Sequence, residues 1–288
     1  MVARLIDGKA VSADVKSRVK EAVRELKAIG VLPCLATVLV GDDPASATYI
    51  ESKHKDAKEV GIITRDHRLA ATFKQEELRE LIQLLNEDPE VHGILIQLPM
   101  PSHIDEFDII SLLSPLKDVD GLTPYNVGML QSGIAALKPC TPSGIMELLD
   151  YYKIDVAGMD VVIVNRSNLV GKPLLILLLE RDATVTICHS KTKHLNEKLR
   201  TADLVVTAVG NRKRFTLTAD MVKEGVVVID VGIARLNGKL TGDLDFESVK
   251  QKASWITPVP GGVGLMTRAM LLKNTVTAAA FITREMSR

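Results

Sequence analysis

The stretch Val161-Val-Ile-Val164, followed by Asn165-Arg-Ser-Asn-Leu-Val-Gly-Lys-Pro173, decides the fold of this chain. Four β-branched apolar residues predict a buried strand, a polar loop follows, and the proline predicts the first turn of a helix. In a doubly wound parallel sheet, this strand–loop–helix edge is where a dinucleotide binds, with its pyrophosphate at the helix N-terminus. The usual Gly-x-Gly-x-x-Gly is absent, so the prediction depends on position rather than on glycines.

The next predicted strand, 184–188, ends in His189-Ser190-Lys191-Thr192. NAD sites usually carry an acidic residue here, which binds a ribose hydroxyl. Ser190 and Lys191 stand there instead, and Arg166 lies on the neighbouring loop, so the sequence favours a 2′-phosphate and therefore NADP. The alternative is that Arg166 and Lys191 are solvated loop charges. Their position at two adjacent strand ends favours the phosphate site.

Strand-like and helix-like segments alternate along the whole chain, which predicts an α/β fold with a parallel sheet. Predicted helices cover residues 12–28, 44–60, 75–86, 143–152, 172–181, 194–200 and 267–286. Predicted strands cover residues 35–40, 62–70, 91–98, 160–164, 184–188, 203–208 and 226–230. The stretch 117–142 is rich in Gly, Pro, Asn, Ser and Thr, which indicates a domain boundary.

The bulk composition excludes several classes of protein. The 288 residues carry 36 basic and 36 acidic side chains and 3% aromatics, so neither a nucleic acid nor an anionic membrane is an expected partner. Three cysteines without paired or metal-like spacing indicate a reducing compartment, and no metal site is predicted. The N-terminus lacks the apolar core of a signal peptide, and no apolar run is long enough to cross a bilayer, so we expect a cytoplasmic protein.

Ser46, Tyr49 and Lys53 are spaced so that they share one face of the predicted helix 44–60. A phenol and an ammonium on one face can handle a proton together. The alternative is that Lys53 is an ordinary surface lysine, because the helix carries many other charged residues. Short-chain dehydrogenases also have a Tyr-x-x-x-Lys pair, but it follows the dinucleotide loop, whereas here it precedes that loop.

Further motifs follow one another along the chain. They are Ser46-x-x-Tyr49-x-x-x-Lys53, Gly93 to Pro101 with Gln97, Pro115 to Gly121 with Asp120, Pro139-Cys140-Thr141-Pro142, Arg166 to Pro173, Cys188 to Thr192, Ile229 to Gly232, Gly242-Asp243 and Pro258 to Gly264. Together, in this order, they resemble the bifunctional methylenetetrahydrofolate dehydrogenase/cyclohydrolases over nearly the whole chain.

The sequence departs from that family's pattern in three places. Asn165 stands where the family usually has glycine, Gly210-Asn211-Arg212 replaces the usual Gly-x-Pro turn, and Leu265 stands where proline normally follows Gly-Gly-Val-Gly.

The resemblance implies two domains with an active-site cleft between them: a small α/β catalytic domain that binds folate and a Rossmann-like doubly wound NADP-binding domain. We assign residues 1–120 and 267–288 to the first, 139–264 to the second and 121–138 to the connection. The implied activity is oxidation of 5,10-methylenetetrahydrofolate with NADP⁺ and hydrolysis of the methenyl product to 10-formyltetrahydrofolate. This multifunctional enzyme of one-carbon interconversion, which serves purine biosynthesis, would be a homodimer through the cofactor domains.

The resemblance also implies residue roles. The implied catalytic residues are Lys53, Tyr49, Gln97 and Asp120. The implied substrate-binding residues are Ser46, Tyr49, Lys53, Ile96, Gln97, Leu98, Asp120, Pro260, Gly261, Gly262, Val263 and Gly264. The implied cofactor-binding residues are Asn165, Arg166, Ser167, Ser190, Lys191 and Ile233.

Other interpretations remain open from the residues alone. Asp120 before Gly121 is also a common turn pair, and the glycines of Pro260–Gly264 also suit a tight turn. The chain could be another two-domain NADP dehydrogenase of the shikimate type, a catalytically silent NADP-binding regulator, or a monofunctional dehydrogenase. Lys53, Gln97 and Asp120 together favour the folate enzyme.

Overall fold

The computed structural model describes residues 2–236 and 238–286, and the side chains of Ala45 and Met286 are not described. Residues 1, 287 and 288, which the predicted domain bounds include, lie outside it. The chain divides into two compact units. The six-stranded unit comprises the residues up to Ala13 and Thr141–Thr267, and the three-stranded unit comprises Asp14–Cys140 and the residues from Arg268 onward.

Helices and strands alternate through most of the described chain. The helices are α1 Gly8–Ala28, α2 Pro44–Val60, α3 Gln75–Glu87, α4 Glu106–Ser111, α5 Pro124–Gln131, α6 Cys140–Tyr151, α7 Gly171–Leu179, α8 Leu195–Thr201, α9 Phe246–Lys250 and α10 Val263–Met286, with a short 3-10 helix at Ala219–Met221. The strands are β1 Arg4–Leu5, β2 Cys34–Val40, β3 Ile63–Leu69, β4 Gly93–Ile96, β5 Asp160–Val164, β6 Thr184–Cys188, β7 Leu204–Thr207, β8 Val227–Asp230, β9 Ala234–Leu236, β10 Lys239–Thr241 and β11 Trp255–Ile256.

The three-stranded unit contains a parallel sheet in the order β3-β2-β4. Every residue of β2 is buried, as expected for the central strand of a parallel sheet covered by helices. One face packs on the apolar stripe of α3, whose buried residues are Leu78, Ile82 and Leu85. This core fixes the ends of β2 and β4.

The six-stranded unit contains a sheet in the order β1-β11-β8-β7-β5-β6, with all pairs parallel. From β5 the chain moves to β6 on one side and then to β7 on the other, so the strand order reverses between β5 and β7. Val164 is in register with Cys188 and Thr207, and Thr207 with Asp230. The loops after these four strands therefore begin at one edge of the sheet.

The prediction of an α/β fold with parallel sheets in two domains is confirmed. Several predicted helix bounds are wrong, because the residues that cap a helix lie outside the apolar pattern from which the bounds were predicted. Asp7 accepts a hydrogen bond from the Lys9 backbone N–H, and α1 begins at Gly8 rather than at residue 12. Thr123 caps α5 inside the segment predicted as a connection. α10 begins at Val263, so Val263 and Gly264 belong to a helix rather than to a loop.

The N-terminal residues, which were predicted to belong to the folate domain, belong to the six-stranded unit. β1 pairs with β11 at the edge of the six-stranded sheet, and this pairing places Arg4 and Leu5 in that unit. Among the described residues, no helix is long and apolar enough to cross a membrane.

Two buried carboxylates organise the loops at the carboxyl edge of the six-stranded sheet. Asp230 ends β8 and is 3% exposed. Its donors are the backbone N–H groups of Gly232, Asp243 and Leu244 and the hydroxyl of Thr207. Asp243 in turn accepts from the N–H groups of Val209 and Gly210. Burial raises the pKa of Asp230 to about 6; the charge of Asp243 adds to this rise, and the backbone hydrogen bonds oppose it.

Replacing Asp230 by asparagine should change stability in a pH-dependent way. Because the pKa of Asp230 is higher in the folded protein than in the unfolded chain, its protonated form favours folding, and this contribution is lost as the pH rises through about 6. Asparagine does not titrate, so Asp230→Asn should lower the free energy of unfolding by about 2 kcal/mol more at about pH 4.5 than at about pH 7.5. Urea unfolding followed by circular dichroism measures this difference.

Asp203→Asn is the matched control, with the opposite sign. The hydrogen bond from Lys223 lowers the pKa of Asp203, so its contribution is present at neutral pH and lost as the pH falls. If Asp230→Asn destabilised the protein equally at both pH values, the raised pKa of Asp230 would be wrong.

Candidate active site

Lys53 and Gln97 meet because the strands before them are neighbours. β2 pairs in parallel with β4 from Leu35–Gly93 to Val38–Ile96, so both strands end at one edge of the sheet. Gln97 follows β4 directly, and its backbone N–H donates to the Val38 carbonyl at 2.9 Å. α2 follows β2 after a short turn, which brings its first turns to the same edge.

α2 begins where the sequence predicts. The Asp43 carboxylate accepts a hydrogen bond from the Ser46 backbone N–H at 2.8 Å, and Pro44 occupies the first turn. Ser46 is buried. Tyr49 and Lys53 share a face as predicted, with Lys53 Nζ 4.5 Å from the centre of the Tyr49 ring.

Lys53 is buried, with 5% of its surface exposed. Its Nζ donates to Gln97 Oε1 at 3.0 Å. The interpretation of Lys53 as an ordinary surface lysine is therefore wrong, because the three-stranded unit removes its amine from water. A buried amine with an amide acceptor has the geometry of a group that exchanges protons.

The orientation of the Gln97 amide is fixed by its second contact. Nε2 donates to the Leu98 carbonyl at 2.8 Å, so Oε1 is the atom that faces Lys53. Ile96 is buried at the end of β4, and Leu98 is partly buried. These three consecutive residues therefore line the carboxyl edge of the sheet beside α2.

The segment that carries Asp120 runs beside β4. The Ile94 backbone N–H donates to the Lys117 carbonyl at 2.7 Å, and Asp118 forms an isolated parallel bridge with Ile94. Asp120 is thereby brought within electrostatic reach of Lys53. The structure thus places Tyr49, Lys53, Gln97 and Asp120 in one cluster, as expected.

Burial acts on both charged members of this cluster. It lowers the pKa of Lys53, while the nearby charge of Asp120 opposes the change. It raises the pKa of Asp120, while Lys53 and the Cys140 thiol oppose the change. Both shifts favour the neutral form, so a neutral amine becomes available at a lower pH than in water.

Cys140 belongs to this cluster, although no role for it was predicted from the sequence. It begins α6 and is 2% exposed. Its Sγ donates to the Val119 carbonyl at 3.3 Å and lies beside the Asp120 carboxyl. Burial raises the pKa of this thiol well above its usual value, so it stays protonated and acts as a hydrogen-bond donor.

The predicted substrate loop Pro260–Gly264 lies in the six-stranded unit. Gly261 accepts a hydrogen bond from the Gly8 backbone N–H at 2.9 Å, which ties the loop to the start of α1. The Val259–Pro260 peptide is cis. The role of Pro260, Gly261 and Gly262 in substrate binding stays a prediction.

At the edge of the six-stranded sheet, Asn165 organises the loop after β5. Its Oδ1 accepts from the backbone N–H groups of Ser167 and Gly171 and from the Ser167 hydroxyl. Its Nδ2 donates to the Ala208 carbonyl at 2.6 Å, so it joins the loops after β5 and β7 where the strand order reverses. These hydrogen bonds engage both ends of the Asn165 amide and fix the shape of the loop.

The cationic residues at this edge are exposed. Arg166, Ser190 and Lys191 follow two strands that end in register, and Ile233 is 57% exposed beyond β8. Arg166 and Lys191 have no ion pair within the described chain. Both cations are therefore available to bind an anion.

The edge fits a dinucleotide. A Cβ atom on Gly171 would lie 2.3 Å from the Asn165 carbonyl oxygen, so only glycine lets the loop close onto the start of α7. The exposed Arg166 and Lys191 supply the charge that phosphates require. The described residues therefore satisfy the requirements of an NADP site in shape and in charge.

The contacts of Asn274 were not predicted from the sequence either. Asn274 lies on α10 and is 6% exposed, and its Nδ2 donates to the Val119 and Lys138 carbonyls, both at 2.8 Å. The only signal in the sequence was an amide in a helical segment that also carries many apolar residues, since a buried amide requires partners. The signal for Cys140 was its place in the Pro139–Pro142 motif.

One unit has a parallel sheet with a switch point between β5 and β7, and the other carries a buried lysine beside Gln97 and Asp120. These features define a two-domain dinucleotide-dependent enzyme. The family models agree. Residues 6–120 match the catalytic domain of tetrahydrofolate dehydrogenase/cyclohydrolase, and residues 139–283 match its NAD(P)-binding domain. The chain belongs to the tetrahydrofolate dehydrogenase/cyclohydrolase family.

Relatives support this membership along nearly the whole chain. The bifunctional protein FolD of Nitrosopumilus maritimus is 60% identical over 280 residues, which cover 97% of this chain and 98% of the relative. The crystal structure of the FolD dehydrogenase/cyclohydrolase of Campylobacter jejuni superposes with a TM-score of 0.94 at 51% identity, covering 97% and 99% of the two chains. A Trypanosoma brucei FolD complexed with NADP and an inhibitor gives a TM-score of 0.93 at 37% identity, covering 99% of both.

Gln97→Glu should raise the pKa of Lys53. The substitution places a carboxylate 3.0 Å from Nζ in place of a neutral amide oxygen, and an adjacent negative charge favours the ammonium form. NMR titration of the Lys53 side chain, labelled at Cε, measures the shift.

Gln83→Glu, the same change on the exposed face of α3, is the control and should leave the Lys53 titration unchanged. An unchanged pKa of Lys53 in Gln97→Glu would mean that the Lys53–Gln97 contact does not form in solution.

Proposed function

We propose that this chain oxidises 5,10-methylenetetrahydrofolate to 5,10-methenyltetrahydrofolate with NADP⁺ and then hydrolyses it to 10-formyltetrahydrofolate. The observation that carries the proposal is the hydrogen bond from the buried Lys53 to Gln97, beside Asp120, in a chain that belongs to this family. Family membership favours this function over a shikimate-type dehydrogenase.

The cofactor side of the proposal depends on charge and exposure. The trypanosomal relative is a complex with NADP. In this chain Arg166 and Lys191 are exposed cations at the carboxyl edge of the six-stranded sheet, where a doubly wound fold binds a dinucleotide. When bound, the oxidised nicotinamide supplies a hydride acceptor. The protein then needs to position the folate carbon rather than supply a strong base, because the nitrogen lone pairs beside that carbon stabilise the cationic product.

Lys53 performs the proton transfers of hydrolysis. Its lowered pKa makes the neutral amine available, and this amine takes a proton as a water molecule attacks the methenyl carbon. The bond from that carbon to N5 then breaks, and the Lys53 ammonium returns its proton to N5. The hydroxyl of the water adduct loses its proton as the formyl C=O forms, so one proton is released overall. The cationic substrate adds to the lowering of the pKa of Lys53, because a like charge disfavours the ammonium form.

The neighbours of Lys53 hold the amine and the substrate. Gln97 Oε1 accepts from Nζ and fixes its direction, and the Tyr49 ring lies against it. Asp120 accepts from the amino group and ring N–H of the pterin, a two-point contact that suits a carboxyl group at the edge of the cluster.

The remaining assignments stay predictions that follow from family membership. The folate contacts include Ser46, Ile96, Leu98 and residues 260–264, and the cofactor contacts include Asn165, Ser167, Ser190 and Ile233. A homodimer through the cofactor domains, a cytoplasmic location and the absence of nucleic-acid partners are proposed on the same basis.

Lys53→Met should separate the two activities. Removing the general base should slow formation of 10-formyltetrahydrofolate by about 10²-fold or more, whereas hydride transfer should fall much less. Purified protein is incubated with 5,10-methylenetetrahydrofolate and either NADP⁺ or NAD⁺, and the methenyl and 10-formyl products are followed separately.

Lys55→Met is the matched control, because Lys55 is an exposed lysine on the same helix. It should leave both activities unchanged. If the unaltered protein formed neither product, the proposed function would fail; if Lys53→Met kept full hydrolysis, only the role of Lys53 would fail.

Arg166→Ala and Lys191→Ala should each weaken NADP⁺ specifically. Each removes a charge-assisted bond to the 2′-phosphate, so the KM for NADP⁺ should rise by about 10- to 100-fold while the KM for NAD⁺ changes little. Initial rates of methenyl formation with both cofactors give the comparison. Lys20→Ala removes an exposed charge from the other unit and should change neither KM, and an equal rise for both cofactors in the test variants would contradict a 2′-phosphate site.

A further inference from the structure

Asn274 joins two segments of the chain that lie far from it in sequence. Its single amide nitrogen donates to the carbonyl of Val119 at 2.8 Å and to the carbonyl of Lys138 at 2.8 Å, and it lies 3.7 Å from Cys140 Sγ. Both amide hydrogens are thereby directed away from α10. None of these side-chain contacts lies within α10.

The next residue, Thr275, bonds within the helix instead. Thr275 is fully buried, and its hydroxyl donates to the Leu271 carbonyl of α10. Burying a primary amide is unfavourable unless its hydrogens are bonded, and here both partners belong to loop backbone. Asn274 therefore specifies where these two loop segments lie.

The two segments also touch each other directly. Gly121 has φ +65°, and a Cβ atom on it would lie 2.9 Å from Lys138 C and 2.9 Å from Pro139 N. The turn after Asp120 is thus packed against the same peptide that Asn274 holds. The Val119 carbonyl, just before Asp120, accepts a second hydrogen bond from Cys140 Sγ at 3.3 Å.

Asp120 is therefore anchored on both sides, by the Val119 carbonyl before it and by Gly121 after it. We infer that Asn274 is a positioning residue for Asp120: it holds the carboxyl group where that group meets the pterin and faces Lys53. This inference rests on the proposed function, because it assigns Asn274 to folate recognition. Asn274 acts through Asp120 and need not contact the substrate itself.

Two variants with the same number of side-chain heavy atoms as asparagine test the inference. Asn274→Leu removes both N–H donors, and Asn274→Asp places one carboxylate oxygen against the two carbonyl oxygens. Misplacement of Asp120 should raise the KM for 5,10-methylenetetrahydrofolate by about tenfold or more in Asn274→Leu and further in Asn274→Asp, with a smaller change in kcat and no change in the KM for NADP⁺.

The pH profile of hydrolysis gives a second measurement. The groups that act on the Lys53 amine are Asp120, the Cys140 thiol and His54 of its own helix. Asp120 opposes the lowering of the pKa of Lys53, so its displacement in Asn274→Leu should move the acidic limb of the hydrolysis profile to lower pH.

Asn86→Ala is the matched control. Asn86 Nδ2 also holds a distant loop carbonyl, that of Leu112 at 2.7 Å, in the same unit. This variant should lose stability but keep both the KM for folate and the pH profile. KM and the position of the acidic limb do not depend on how much of the protein is folded, so partial unfolding of a variant does not obscure the result.

An unchanged KM for folate and an unchanged pH profile in both Asn274 variants would overturn the inference and leave Asn274 a stabilising residue only. That result is distinguishable from failure of the proposed function. In the latter case the unaltered protein itself would form no product from 5,10-methylenetetrahydrofolate.

Discussion

The hydrogen bond between the buried Lys53 Nζ and Gln97 Oε1 is the interaction on which the proposed chemistry depends. An amine in water is almost entirely protonated near neutral pH, and it becomes a base only when burial disfavours its charge. The parallel pairing of β2 with β4 and the cap of α2 at Asp43 provide that burial. Asp120 limits the effect by favouring the ammonium form, so the site balances desolvation against one nearby charge.

The cofactor edge is built by the opposite use of charge. Its acidic groups, Asp230 and Asp243, are buried, and their oxygens accept hydrogen bonds from backbone N–H groups. These hydrogen bonds fix the loops after β7 and β8. Asn165 fixes the loop after β5 in the same way. The cations Arg166 and Lys191 remain exposed. Buried acceptors thus shape the loops, and exposed donors remain for a phosphate.

Two of the residues that distinguish this chain from the usual family pattern, Asn165 and Arg212, have physical roles. Asn165 uses its whole amide to join two loops, which a glycine could not do. Arg212 donates to the Thr241 hydroxyl and favours the ionised form of the buried Asp243 carboxyl. Both residues therefore stabilise the edge at which the dinucleotide is proposed to bind, rather than remove its function. Nothing in the structure explains Leu265.

The sequence by itself determined the alternation of strands and helices, the strand–loop–helix arrangement after Val164 and the shared face of Tyr49 and Lys53, because these depend on local periodicity and turn chemistry. Only the tertiary structure decided that Lys53 is buried and that Asn274 holds the loop beside Asp120. Those contacts join residues 44 and 155 positions apart. No local pattern encodes which distant carbonyl an amide will reach, since packing of the whole unit sets that distance.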